Sequence, residues 1–177
     1  MGFSPTEGLV MATRCGDIDP GAIVHLMRNK KMAPEMVEQL INAQSGLLGL
    51  SGKSADMRDL INETDTQAEL AVEMYCYRLR KYVGAYQTVL GRADGIMFGG
   101  GVGEHSPQVR DRVLSEMQWC GIELDADANR QAISGEARIS TNDSRVDIRV
   151  LPVDEAALLA EEAYLVLKGE KKESHHD

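Results

Sequence analysis

No long hydrophobic run occurs in this chain, and that absence excludes a membrane-spanning protein. None of its apolar segments approaches the roughly 18 consecutive residues that a helix needs to cross a bilayer. The first residues also lack the basic stretch and the apolar segment of a secretion signal. We therefore expect a cytoplasmic protein that does not associate with membranes.

Basic residues are outnumbered by acidic ones. The chain has 19 Lys and Arg residues against 28 Asp and Glu residues, so its formal net charge is −9. A surface with this excess repels phosphate polymers and anionic lipid headgroups. The charge thus argues against general affinity for nucleic acid, although a nucleotide can still bind at a local site.

Cysteine is scarce as well. The chain has three cysteines, Cys15, Cys76 and Cys120, which are widely spaced and form no Cys-x-x-Cys pair. An odd and scattered set suggests neither a disulfide framework nor a zinc site. We interpret all three as reduced thiols.

Helix signals, in contrast, fill nearly the first ninety residues. The segment Ser4-Pro5-Thr6-Glu7 has the pattern of a capping box and predicts a helix to about Thr13. Further patterns predict a loop at 45–55 and helices at 20–29, at 34–43 and from a second capping box at Thr64 to Gly91.

The second half of the chain alternates strand and helix signals. We predict strands at 93–98, 137–140 and 147–153, and helices at 107–118, 125–133 and 154–168. A strand, a helical crossover and a returning strand form a parallel βαβ-like unit. The predicted class is therefore α/β, helix-rich with a short, mainly parallel sheet, and strand 93–98 is expected to be buried.

The narrowness of this sheet is itself informative. Two or three strands are few for a parallel sheet, which is normally wide and covered on both faces. We therefore expect the chain to be a piece of a larger protein, with one domain over 1–168 and a polar tail over 169–177.

The strongest local pointer to function is the run Gly99-Gly100-Gly101-Val102-Gly103-Glu104, which is followed by His105. It joins the predicted strand 93–98 to a helix that begins at Ser106-Pro107. Because glycine lacks a Cβ, a ligand can lie against this main chain, and free N–H groups beside a helix start favour a phosphate. The alternative is a tight strand-to-helix turn that binds nothing, with His105 as a surface or capping residue.

A charged loop holds the best candidate for a catalytic residue. In the segment 13–20, Arg14 offers a planar fork of donors that suits the oxygens of a transferring phosphoryl group. The alternative is that Arg14 pairs with Asp17 or Asp19 and only fixes the loop.

Two further segments have both a functional and a purely structural interpretation. Asp56-Met57-Arg58 suits contacts with a ribose or a base, or simply caps a short helix. Glu155, which follows the predicted strand 147–153, suits Mg²⁺ bound directly or through water, or complements the dipole of the last helix.

Taken in order, five segments resemble the carboxyl-terminal half of acetate kinases, and the resemblance covers nearly the whole chain. These segments are 1–9, 13–20, 56–59, 98–104 and 152–155. The resemblance implies the actin-like, RNase H-like fold of the acetate and sugar kinase, Hsp70 and actin superfamily, with two duplicated domains that close around ATP. It also implies reversible phosphoryl transfer from ATP to acetate with Mg²⁺, which yields ADP and acetyl phosphate.

The same resemblance implies roles for individual residues. Arg14 matches the active-site arginine that steadies the transferring phosphoryl group, and Glu155 matches the carboxylate associated with Mg²⁺. Asp56, Met57 and Arg58 match the segment along the adenosine, and the run Gly99 to Glu104 matches the adenine and ribose turn, beside His105. The chain departs from the family at Gly99, Met57 and His105, where Thr, an aromatic residue and Asn are common, so these departures bear on nucleotide affinity and base preference.

The resemblance further implies what these residues lack. In the family, an amino-terminal domain supplies the acetate pocket, a catalytic arginine, transition-state histidines and a magnesium-site aspartate, and a His-x-Gly-Asn-Gly phosphate loop precedes the segments matched here. We therefore expect an unpaired edge on strand 93–98, a homodimer through this part of the protein, and no turnover by the chain alone. Two alternatives stay open, a non-catalytic nucleotide-binding or dimerisation module and a fragment of a propionate or butyrate kinase.

Overall fold

The computed structural model describes residues 2–168, apart from the side chains of Glu155, Leu158, Glu161 and Glu162. Five helices precede the first strand in this range, and they are α1 (Pro20–Asn29), α2 (Pro34–Ala43), α3 (Gly46–Ser51), α4 (Met57–Leu60) and α5 (Thr66–Val89). The elements that follow are β1 (Gly95–Phe98), α6 (Gly100–His105), α7 (Pro107–Leu114), a 3₁₀ turn (Gln118–Cys120), α8 (Ala126–Gln131), β2 (Ala137–Arg138), β3 (Asp147–Val150) and α9 (Glu155–Lys168). The predicted polar tail at 169–177 lies outside the described residues.

The three strands form one mixed sheet with the order β1-β3-β2. Strand β1 runs parallel to β3, from Gly95 opposite Asp147 to Phe98 opposite Val150, and β2 runs antiparallel to β3. The predicted α/β class, rich in helix with a short sheet, is therefore confirmed. The sheet was expected to be mainly parallel and is mixed, with one parallel and one antiparallel pair. The prediction of a buried strand at 93–98 is wrong, because β1 lies at the sheet edge and Phe98 alone of its four residues is buried.

The core forms where α5 packs against α3, α4 and α7. Ala68, Ala71, Val72 and Cys76 recur on α5 at spacings of one to four residues and are at most 3% exposed, so one face of this long helix is apolar and closely packed. Burial raises the pKa of the Cys76 thiol to about 11. All three cysteines are free, as the sequence predicted.

Helices α1 and α2 have the predicted bounds because each begins at a proline, which fixes the backbone angle that a first helical turn needs. The start of α5 differs by one residue from the predicted cap. The Asp65 carboxylate, instead of the Thr64 hydroxyl, accepts hydrogen bonds from the N–H groups of Gln67 and Ala68.

The predicted helix over 4–13 is absent, and turns and bends occupy this segment. The Ser4 hydroxyl bonds Thr6 at 2.6 Å, and Gly8 adopts a φ of +109°, which is incompatible with a continuing helix. The backbone beyond is bonded elsewhere, since the Met11 carbonyl accepts from Leu47 N–H at 2.9 Å and the Met11 N–H donates to Arg14 at 3.1 Å. Tertiary hydrogen bonds therefore replace the helical ones in this segment.

Two other boundaries also differ from prediction. The segment 45–55 was predicted as a loop, but its first part forms α3, whose amino-terminal N–H groups bond the carbonyls of Met11 and Ala12. The helix predicted over 107–118 ends at Leu114 and is followed by a 3₁₀ turn.

The packing of β3 predicts a large effect of truncating Ile148, which is fully buried, and a small effect of truncating Met97, which is 71% exposed on β1. We expect Ile148→Ala to lower the free energy of unfolding by about 2 to 5 kcal/mol. The control, Met97→Ala, should change it by less than about 0.5 kcal/mol. Urea unfolding followed by circular dichroism measures both values, and equal effects would contradict the placement of the two strands.

Candidate functional site

A cavity of about 520 Å³ lies between α4 and the α6–α7 segment. One wall carries Asp56, Met57 and Arg58, and the opposite wall carries Gly101, Val102 and His105. Two of the segments that the sequence singled out, more than forty positions apart, therefore face the same cavity. This volume is within the range of small-molecule sites in proteins.

The glycine run forms the short helix α6, where the sequence predicted a turn before a helix at Ser106-Pro107. Gly99 precedes the helix in an extended conformation, and a Cβ there would lie 2.6 Å from Val153 Cγ2. Gly100 has a φ of +68°, which side chains other than glycine rarely adopt. At Gly101 nothing lies within 4 Å of where a Cβ would be, so the main chain is open to the cavity.

The opposite wall begins with a capped helix. The Asp56 carboxylate accepts a hydrogen bond from the Arg58 N–H at 2.8 Å and also binds the Arg58 guanidinium at 2.5 Å. This guanidinium, followed by the N–H bond, lowers the pKa of Asp56 to about 2, so the carboxylate is ionised at neutral pH. Met57 is buried at 4% exposure, and it supplies apolar surface to this wall.

Glu104 and His105 connect α6 to neighbouring segments. A Glu104 carboxylate oxygen accepts a hydrogen bond from Val153 N–H at 3.4 Å, in the segment after β3. His105 Nδ1 lies 3.0 Å from the carbonyl oxygen of Ile133, which can only accept, so Nδ1 donates. His105 therefore both faces the cavity and fixes the end of α6.

Arg14 is not one of the residues that line this cavity. Its loop neighbours Met11 and Ala12 line an adjacent cavity of about 460 Å³, whose other wall includes Asp56, Met57 and Val102. The loop with Arg14 thus borders the site, half-buried, while no described contact carries its guanidinium into the 520 Å³ cavity.

The structural alternative for Arg14, a pairing with Asp17 or Asp19, is wrong. Asp17 instead accepts hydrogen bonds from Gly8 N–H at 2.7 Å and from the Tyr82 hydroxyl, and its backbone carbonyl accepts from Arg78 at 2.8 Å. Asp19 caps α1 through Gly21 N–H. Among the described residues, no hydrogen bond or ion pair engages the Arg14 guanidinium.

Glu155 is the first residue of α9, and its side chain lies outside what the structure describes. The adjacent Asp154 accepts a hydrogen bond from Ala157 N–H at 2.8 Å and so caps this helix. No group of three His, Cys, Asp or Glu residues that could hold a metal ion occurs in the described part of the chain.

Sequence reasoning missed three polar residues that line the cavity, Asn62, Ser106 and Gln108. Asn62 follows α4, and Ser106 and Gln108 belong to the start of α7. Ser106 had a recognisable signal as a helix cap, whereas the two amides had none, because a polar residue near a helix end is common.

Comparison with known proteins assigns this chain to a family. Residues 1–161 match the model of the acetokinase family. The chain belongs to the acetokinase family. It is 43% identical over 169 residues to a protein named acetate kinase from Chloroherpeton thalassium, an alignment that covers 93% of this chain and 40% of that protein.

Solved acetokinase structures have the same fold. The crystal structure of Porphyromonas gingivalis acetate kinase superposes with a TM-score of 0.86 at 40% identity, over 94% of this chain and 43% of that one. A propionate kinase from Francisella tularensis superposes with a TM-score of 0.83 at 32% identity, over 92% of this chain and 42% of that one. The fold is that of the acetate and sugar kinase, Hsp70 and actin superfamily, as expected from the sequence.

This acetokinase chain spans about two fifths of the length of the relatives it matches. No helix in residues 2–168 combines the length and the apolar character that crossing a bilayer requires.

The contacts of Asp17 predict a pH-dependent stability. The Tyr82 hydroxyl and then the Gly8 N–H lower the pKa of this carboxyl group, so its stabilising effect is present above the unfolded-state pKa of about 3.9 and is lost as pH falls through the lower, folded-state pKa. We expect Asp17→Asn to reduce the free energy of unfolding at pH 7 and the difference from wild type to shrink in acid.

Urea unfolding at pH values from 7 to 2.5 measures this difference. As a companion variant, Tyr82→Phe removes the hydrogen bond that lowers the pKa of Asp17 most. This variant should raise the pKa of Asp17 in a carboxyl NMR titration. A wild-type advantage over Asp17→Asn that stays constant across the range would contradict the assignment.

Proposed function

We propose that this chain is the carboxyl-terminal, nucleotide-binding part of an ATP-dependent kinase that transfers a phosphoryl group reversibly to acetate. The observation that supports it best is the 520 Å³ cavity, which is flanked by the Asp56–Arg58 segment and by α6. The names of the relatives add support for the acetate substrate, since they are acetate kinases. The proposed nucleotide-binding domain covers 1–168.

The lining of the cavity suits the base and the ribose of a nucleotide. Met57, Ile61 and Val102 give apolar surface against which a base can stack, and Asp56 offers carboxylate oxygens to ribose hydroxyl groups. The open main chain at Gly101 lets a ligand approach the backbone closely. Gly99, Gly100 and Gly103 have a supporting role in this proposal. Gly99 and Gly100 allow the backbone path that brings α6 to the cavity, and Gly103 belongs to α6 itself.

Arg14 is the proposed catalytic residue. It lies on a loop that borders the site, and its guanidinium is not engaged by another described residue, so its donors are available to a phosphoryl group. Such a cation stabilises the charge that develops on the transferring group without itself reacting.

The proposed cofactor is Mg²⁺, bound together with ATP or ADP. The donor chemistry fits, because the segment after β3 supplies carboxylates in Asp154 and Glu155, and Glu104 reaches the same segment. Bound Mg²⁺ neutralises charge on the phosphates, and Glu155 is the residue that we propose to hold it directly or through water.

The acetate pocket and further catalytic groups belong, in this proposal, to a part of the enzyme beyond these 177 residues. A propionate or butyrate kinase stays a second candidate, because one superposed structure is a propionate kinase. The exposed Tyr77, Tyr86 and Val89 on α5, with Leu90 just after it, support a homodimer through this part.

Filling the cavity at Gly101 tests nucleotide binding. We expect wild type to bind ADP in isothermal calorimetry and Gly101→Leu to raise Kd at least tenfold, because the side chain would occupy the cavity. Gly84→Leu on α5 is the matched control, since its surroundings are equally open, and it should bind like wild type. No ADP binding by wild type, or equal Kd values for both variants, would contradict the proposed site.

The catalytic proposal is tested by complementation. We expect the chain alone, with ATP, Mg²⁺ and acetate, to form negligible acetyl phosphate. Activity should appear when the amino-terminal part of an acetate kinase is added, and Arg14→Ala should lower this activity about 100- to 1,000-fold.

Arg28→Ala, on the exposed end of α1, is the control for the loss of one positive charge and should keep the restored activity. Robust turnover by the chain alone would overturn the proposal that the acetate pocket and further catalytic groups belong to another part of the enzyme. Nucleotide binding without any complementation would favour a non-catalytic module.

A further inference from the structure

Helix α6 needs an external source of stability. Three of its six residues are glycine, the poorest helix former after proline, and a helix this short does not persist alone in water. Its carboxyl-terminal carbonyl groups also lack partners within the helix. Some contact outside α6 must therefore hold it in shape.

Arg110 on α7 supplies that contact. Its Nη1 donates to the carbonyl oxygens of Gly103 and Glu104, at 2.7 and 2.9 Å, which are two of the unpaired carbonyl groups of α6. Its Nη2 donates to the carbonyls of Asn129 and Ala132, at 2.9 and 2.6 Å, and Nε donates to the Asn129 side chain at 2.8 Å. All five N–H donors of the guanidinium are thus used.

The described partners of the guanidinium are all neutral. Arg110 is fully buried, and none of the carboxylates whose side chains the structure describes pairs with it. Burial lowers the pKa of Arg110 from its ordinary value, and the carbonyl dipoles compensate the charge. Burying an unpaired cation is unfavourable unless all its donors are satisfied, so this arrangement fixes α6 against α8 rigidly.

Arg110 does not itself line the cavity, whereas Gly101, Val102 and His105 of α6 do. Any displacement of α6 changes the position of this wall. The effect of Arg110 on a bound ligand is therefore indirect, and it includes the position of α6.

We propose that Arg110 is a positioning residue for nucleotide binding, which holds the glycine-rich helix α6 in the shape that the cavity requires. This inference rests on the proposed function for the identity of the ligand. The claim that Arg110 holds α6 in shape does not depend on that function. A lysine at this position keeps the charge but has three donors, so it cannot bind all five acceptors.

The experiment compares Arg110→Lys with Arg112→Lys. Arg112 lies on the same helix but pairs at the surface with Glu69, at 2.8 Å, so its replacement controls for a change of arginine to lysine. We expect Arg110→Lys to weaken ADP binding at least tenfold in calorimetry and Arg112→Lys to change Kd less than twofold.

Hydrogen exchange separates positioning from general destabilisation. In Arg110→Lys, the amide of Ser106, which donates to Val102 at 3.1 Å, should exchange faster, while amides in the middle of α5 keep the wild-type rate. A second substitution, Gly103→Ala, should recover most of the lost affinity, because alanine favours the helix and its Cβ would meet Phe98 at an ordinary 3.6 Å.

Wild-type affinity in Arg110→Lys would overturn the proposal, and so would equal acceleration of exchange throughout α5 and α6. If wild type itself bound no ADP, the proposed function would fail. Hydrogen exchange would then decide alone whether Arg110 holds α6 in shape. An unchanged exchange rate at the Ser106 amide in Arg110→Lys would overturn that claim.

Discussion

The parallel pairing of β1 with β3 is the constraint on which the rest of the site depends. Because Phe98 lies opposite Val150, the carboxyl ends of both strands lie side by side at one end of the sheet. The Leu151 N–H still bonds the Phe98 carbonyl at 2.8 Å. The segments that follow, the glycine helix and the entry to α9, must therefore emerge side by side. Parallel α/β sheets bind ligands beyond the carboxyl ends of their strands for the same reason.

A second set of contacts brings the Asp56–Arg58 wall of the cavity close to these strand ends. The long helix α5 packs against both α4 and α7, so it fixes the Asp56–Arg58 segment relative to the helix that carries Arg110. The loop with Arg14 is attached to the same helix by Asp17, through Arg78 and Tyr82. One long amphipathic helix thus sets the distances between segments that are far apart in sequence.

Much of this arrangement follows from local sequence rules, and the failures have physical causes. Helices α1 and α2 and the parallel strand pair were predictable from prolines, caps and hydrophobic spacing. The helix expected from Ser4 does not form, because Met11 and Asp17 make tertiary bonds that no local pattern encodes. Conversely, α6 forms despite its glycines, and a buried arginine from the next helix satisfies two of its carbonyl groups. That segments 56–58 and 101–105 lie at one cavity could be inferred only from the resemblance or from the structure, because no local pattern in either segment indicates the other.

The exposed edge of β1 has a consequence for any strand that would extend the sheet. The carbonyls of Asp94 and Phe98 point toward β3, so by alternation the outward-facing main-chain groups belong to Gly95 and Met97. The edge therefore offers two N–H and two C=O groups, and Gly95 contributes no side chain. So few backbone bonds give little register preference, and packing on the thioether of Met97 would decide which incoming segment adds to the sheet.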